Sequence, residues 1–189
     1  MRRDSLPGSL VVLLVLASTG CIIEAPGTGG ASARPTPAAV VTNVPPLTTT
    51  LGAVLDGKVE LVGAKLEPGR ALPGETVKIT AFYKVLEPIN EDYVVFVHVE
   101  DTDGRSDRIN LDHSPAGGTH PTSAWKQGET VSDTVSLYIP PTSNVRAYNV
   151  WIGFWHAESD RRMQLQNPDK VKHDGRNRIL LATLPVGRT

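Results

Sequence analysis

The chain has 189 residues, with 19 Lys or Arg against 20 Asp or Glu and a formal net charge of −1. That length holds one domain with accessory segments, and the balanced charge removes the electrostatic basis for nucleic-acid binding. A single cysteine, Cys21, excludes an intrachain disulfide and any thiolate-rich metal site.

Arg2 and Arg3 precede a short apolar run at residues 10–17, LVVLLVLA. A membrane-spanning helix needs about 20 such residues, so the pattern is that of a secretory signal. Ser18-Thr19-Gly20-Cys21 follows at once. This resembles a bacterial lipobox, with Ser18 standing where most lipoboxes carry Leu. The resemblance implies a signal peptide over residues 1–20 and a lipidated N-terminal Cys21. Anchoring would then rest on more than one acyl chain. The alternative is an ordinary secretory signal with a coincidental Cys. Ile22, rather than Asp, follows the Cys; by analogy with proteobacterial sorting this favours the outer membrane over the inner.

A tether is expected over residues 21–56. Its first part holds Pro26, Pro35, Pro37, Pro45 and Pro46 among Thr, Ala and Gly, a composition that cannot bury a core and predicts disorder. Docking of residues 40–44 as an edge strand is the less favoured reading. The folded domain is expected over residues 57–189. Residues 58–66 alternate as a strand. Residues 75–86 set Val77, Ile79, Ala81, Tyr83 and Val85 on one face, with Thr76, Lys78, Thr80, Phe82 and Lys84 on the other. Residues 92–101, DYVVFVHVED, are apolar on both faces. Asp103-Gly104 supplies a hairpin turn, and a short strand is expected to return over residues 108–112. A long polar loop, residues 113–128, contains Trp125.

Residues 129–139 form the cleanest strand. Val131, Val135, Leu137 and Ile139 face in, and Asp133 is an inward-phase exception. Pro140-Pro141 ends it. Residues 147–156, AYNVWIGFWH, are central. Tyr148, Val150, Ile152 and Phe154 form one face and Asn149, Trp151, Gly153 and Trp155 the other. Residues 159–175 read as a loop with a short hairpin near 162–165, and residues 178–186 as a last strand. About seven antiparallel strands with frequent turns predict an all-β, immunoglobulin-like or carbohydrate-binding-module-like sandwich.

YVVFVHVEDTDG, LDHSPAGGTHPTSAWKQGETVSD and YNVWIGFWHAESDRRM, in this order, resemble a small β-sandwich family. That family occurs in uncharacterised bacterial exported proteins and at the C-terminus of some membrane glycosyltransferases. The matched positions are Asp101–Gly104, Asp112–Pro115, Pro121-Thr122, Trp125, Gly128-Glu129, Asp133, Gly153 and Arg162. The pattern departs at His113 and at Trp155-His156. The catalytic part of the glycosyltransferases is their membrane domain, which has no counterpart here, so the resemblance implies an accessory, non-catalytic module.

Trp151 and Trp155 would stand about 13 Å apart on one face. Asn149 joins them, and Phe96 and His98 extend the face if their strand pairs with this one. Such an aromatic platform suits sugar rings or Pro-rich peptides. The competing expectation is that the 113–128 loop seals the face, with Trp125 packed across Gly153. Asp112, Trp125 and Asp133 are expected to anchor that loop, Asp133 by accepting hydrogen bonds from loop N–H groups. The histidines lack the spacing of a metal site, and Arg105 interrupts the calcium-like start Asp101-Thr102-Asp103-Gly104. No G-x-S-x-G elbow occurs, and a Glu129/Asp133 glycosidase pair is the weaker use of those acids. No cofactor, metal or enzymatic activity is expected. The expected partners are the membrane, through the anchor, and a glycan or another envelope protein.

Overall fold

The computed structural model describes residues 39–187. Cys21, the signal-like segment and the tether to residue 38 lie outside the described residues. The strands are β1 (Ala39–Val40), β2 (Thr49–Leu55), β3 (Val59–Glu67), β4 (Thr76–Val85), β5 (Val94–Asp101), β6 (Ile109–Asn110), β7 (Thr130–Tyr138), β8 (Ala147–His156), β9 (Arg161–Arg162) and β10 (Ile179–Pro185). They form two antiparallel sheets, ordered β1-β7-β4-β3-β2 and β10-β8-β5-β6, with β9 on β8. The fold is a β-sandwich. Among the described residues no helix is long and apolar enough to cross a membrane.

Alternation builds the core. Val77, Ile79 and Tyr83 of β4 and Val131 and Leu137 of β7 meet Val95, Val97 and Val99 of β5 and Val150, Ile152 and Phe154 of β8 in one buried cluster. The sets on β4, β7 and β8 are those grouped on one face by the period of two, and the structure selects Val95, Val97 and Val99 as the inward side of β5. Both β5 and β8 carry apolar residues on their outer side as well, and there too they are covered rather than fully exposed.

The folded domain starts earlier than residue 57. β2 pairs with β3 from Thr49↔Ala64 to Leu55↔Val59, and Ala53 and Leu55 are core residues. The turn between them is Asp56-Gly57, with φ of 49° and 69°. Such paired positive φ values give a hairpin turn whose twist matches the strands. Further upstream, Ala39↔Ser132 and Val40↔Val131 put β1 on the free edge of β7, the arrangement the composition argued against. A Pro- and Thr-rich segment cannot make a core of its own, but it can still add hydrogen bonds to an existing edge.

Because β1 and β2 lie at opposite edges of one sheet, residues 41–48 carry the chain across its outer face. Val41 N–H donates to Thr130 at the start of the crossing, and Thr48 N–H donates to Ala64 at its end. This strap explains Phe82, which faces outward on β4 opposite Gly63 yet is buried. A Cβ at Gly63 would collide with the Thr49 carbonyl oxygen and come within 2.9 Å of Leu47 Cδ1. Gly63→Ala is therefore expected to destabilise the domain by about 1–3 kcal/mol, the usual range for overpacking. Chemical denaturation measures it; an unchanged midpoint would place residues 47–49 away from the sheet.

Candidate functional site

Asp133 has the inward phase of β7, and a buried carboxylate requires partners. They come from the loop that follows β6. Asp133 Oδ2 lies 2.6 Å from His113 Nε2, and Oδ1 accepts the Ala116 N–H at 3.3 Å. His113 Nδ1 lies 2.8 Å from the Leu111 carbonyl oxygen. Both ring nitrogens thus face oxygen acceptors, the pattern of an imidazolium donating twice. The side chains of His113 and Asp133 are only 14% and 3% exposed. Beside them lies a void of about 10 Å³, lined by Ile79, Val97, Val135 and Ile152 among others. That is about the volume of one water-sized probe.

The same loop is held at further points. Asp112 Oδ1 accepts the Val97 N–H at 2.9 Å. Thr122 Oγ1 accepts the Tyr93 N–H and donates to the Glu91 carbonyl. Trp125 donates from Nε1 to the His120 carbonyl, and its ring packs 5.6 Å from Tyr83 and 5.9 Å from Phe154. Tyr83 and Phe154 are core residues, so the loop closes the side of the sandwich between its two sheets. The expectation that it seals the Trp151/Trp155 face, with Trp125 across Gly153, is corrected: the His113–Asp133 link draws it inward instead. Gly153 lies against the Phe96 ring and the Asn177 carbonyl, 2.9 Å from where its Cβ would be.

The outer face of β5 and β8 is a different environment. The register Phe96↔Gly153 and His98↔Trp151 puts the expected aromatic residues on one surface, and Trp155↔Arg162 adds β9. Phe96 and His98 are buried, while Asn149, Trp151 and Trp155 are half-buried. Arginines do the covering. The Arg162 guanidinium lies 4.7 Å from the Phe96 ring centroid and that of Arg178 5.2 Å from Trp151, in cation–π geometry. Trp155 Nε1 donates to Asp160 at 2.8 Å, and Asn149 accepts from Thr183 at 2.8 Å.

Two adjoining clefts open on this face. One, of about 230 Å³, is lined by His98, Glu100, Arg108, Arg162, Asp174, Arg176 and Arg178. The other, of about 250 Å³, is lined by Phe96, His98, Arg108, Asn110, Asp112, Trp155, Asp160 and Arg162. Arg178 is neutralised by Glu100 and Asp174, each at 2.6 Å. Burial pushes the His98 pKa down; Asp112, 3.5 Å away, opposes this, and Arg108, Arg178 and Arg162 reinforce it, leaving the ring below its ordinary value and neutral. His98 Nδ1 and Trp151 Nε1 are buried without a hydrogen-bond partner.

Arg108, Arg176, Arg178, Asn110 and Asp160 were not anticipated from sequence. They come from the β5–β6 connection, β6, the β8–β9 turn and the β9–β10 segment, whose meeting depends on the β5–β8 register; the i, i+2 spacing of Arg176 and Arg178 before an apolar strand is the signal the sequence offers. Arg162, one of the positions matched by the resemblance, stacks on Phe96 and donates to the Arg176 carbonyl at 3.0 Å. Arg161 turns the other way, to Glu91 and Tyr93. The histidines are not gathered: His113 is held by Asp133 and His156 by Ser159. Among the described residues there is no group of three or more metal-ligating side chains. No family model matches the chain, and no curated protein is significantly similar to it.

For His113, burial alone lowers the pKa. The hydrogen bond and charge of Asp133, the Leu111 carbonyl and Asp112 more than reverse this, and the net shift is upward. The resulting stabilisation is complete below the unfolded histidine value of about 6.5 and is lost as pH rises through the raised folded value. Unfolding free energy should therefore fall as pH rises above about 6.5. Asp133→Asn should cost about 3 kcal/mol at pH 6 and flatten that decline. Denaturant titrations across the range give the test; a wild-type profile with no decline would show that the pair does not carry a charge.

Proposed function

We propose that this chain is a lipid-anchored cell-envelope protein displaying a non-catalytic β-sandwich that binds another envelope component. Cys21 supplies the anchor and the segment after it the spacing from the lipid surface. The carrying observation is the outer face of β5 and β8, where Trp155, Asn110, Asp112, Asp160, Arg108 and Arg162 line one open cleft. An aromatic side chain bordered by planar hydrogen-bonding groups suits a sugar ring, which presents an apolar face and a rim of hydroxyls. A polysaccharide or cell-wall glycan is accordingly the component this surface fits.

The non-catalytic reading rests on where the titratable groups stand. The His–Asp pair with the closest contact, His113–Asp133, faces a void about the size of one water. On the open face, Asp112 and Asp160 are engaged in hydrogen bonds to Val97 and Trp155.

Two measurements test the proposal. Cys21→Ala should abolish processing to the lipidated form and shift the protein out of the membrane fraction; unchanged partitioning removes the anchor. In a screen against envelope glycans, the wild-type protein should bind and Trp155→Ala should weaken that binding at least tenfold, about 1.4 kcal/mol. Binding that survives the substitution would move the ligand to another surface.

A further inference from the structure

The charge on the open face is unevenly distributed. Of the four arginines lining the cleft of about 230 Å³, Arg178 is fully balanced, held between Glu100 and Asp174. Arg108, Arg162 and Arg176 have no carboxylate within ion-pair distance among the described residues. Three unneutralised guanidinium groups around one depression repel one another, and the depression carries a net positive charge. Arginine presents planar paired donors that match a carboxylate or phosphate. Low-dielectric walls then concentrate the field on whatever enters.

The second observation is continuity. Arg108, Arg162 and His98 line both clefts, so the basic depression runs into the one bordered by Trp155, Asn110 and Asp160. One end therefore offers a stacking surface with hydrogen-bonding groups, and the other offers unpaired positive charge. Resting on the reading of this face as a glycan-binding surface, we propose that its ligand is an acidic saccharide. One ring packs at Trp155, and the carboxylate or phosphate of that ring or its neighbour lies among Arg108, Arg162 and Arg176.

His98 provides an internal reporter. It lies between the two clefts and is held neutral first by burial and then by Arg108, Arg178 and Arg162, against the opposing charge of Asp112 3.5 Å away. An anion among the arginines cancels part of their field, so the imidazole pKa must rise on binding. By linkage, binding must also take up protons and strengthen as pH falls through the histidine range. A neutral sugar on Trp155 lacks this effect.

The test uses the lipidated protein in detergent. Oligogalacturonate is compared with its fully methyl-esterified form, and glucose 6-phosphate with glucose, by calorimetry and by NMR titration of the His98 ring. The charged member of at least one pair should bind at least tenfold more tightly than its neutral counterpart. That preference should shrink as salt is raised, and the His98 pKa should move upward with the charged ligand. Which pair shows the preference separates carboxylate from phosphate. Arg108→Gln and Arg176→Gln, both at the surface, should reduce the preference while leaving the thermal midpoint in place. Equal affinity for charged and neutral members, weakened by Trp155→Ala, overturns the acidic-ligand proposal and leaves the glycan-binding reading standing. A charge preference unaffected by either arginine substitution places the anion elsewhere and overturns it. Failure to bind either charged probe also overturns it, whereas failure of the wider glycan screen removes the reading beneath it.

Discussion

The buried contact between His113 and Asp133 ties together the parts of this molecule that alternation alone leaves separate. Asp133 belongs to β7 in one sheet. His113 follows β6, and its backbone is bonded to Val95 of β5 in the other sheet. A charge in the core is costly unless its partner is close and its remaining lone pairs are occupied. Here the second carboxylate oxygen accepts from Ala116 and the second ring nitrogen meets the Leu111 carbonyl. Meeting these requirements fixes the loop between β6 and β7 against the gap between the sheets. Trp125 then fills the core beside Tyr83 and Phe154.

The outer face follows from that placement. With the loop drawn inward, the aromatic residues on the far side of β5 and β8 need another cover. β9 lays Arg162 over Phe96, and the segment between β9 and β10 lays Arg178 over Trp151. Charged side chains cover apolar rings incompletely, because their stems pack while their heads keep to water. The result is an aromatic floor under a polar, cleft surface. β8 thus separates two chemistries across its own thickness: a closed core on the side of Ile152 and Phe154, and an open, polar, cleft surface on the side of Trp155.

Period-two patterning made the sandwich legible. The inward residues of β4, β7 and β8 are readable from alternation, and so is the odd inward carboxylate at Asp133, whereas β5, apolar on both faces, does not declare its inward side. What escaped was information held between segments. β2 falls within the expected tether: its Thr, Leu, Gly and Ala make a weak strand pattern, although Asp56-Gly57 marks a hairpin turn. The strap over Phe82 could not be foreseen, since it depends on β1 and β2 occupying opposite edges of the sheet. The aromatic half of the outer face could be read from β5 and β8 alone. Its basic half could not, because Arg108, Arg162 and Arg176 meet only after three connections have folded.

In the function proposed, the outer face of β5 and β8 is where this protein takes its ligand. Backbone amide shift mapping with an acidic oligosaccharide tests it most directly. Saturable shifts are expected at Phe96, His98, Trp155 and Arg162, with Val131 and Leu137 in the core of the other sheet unmoved. Shifts confined to the opposite sheet would place the ligand elsewhere.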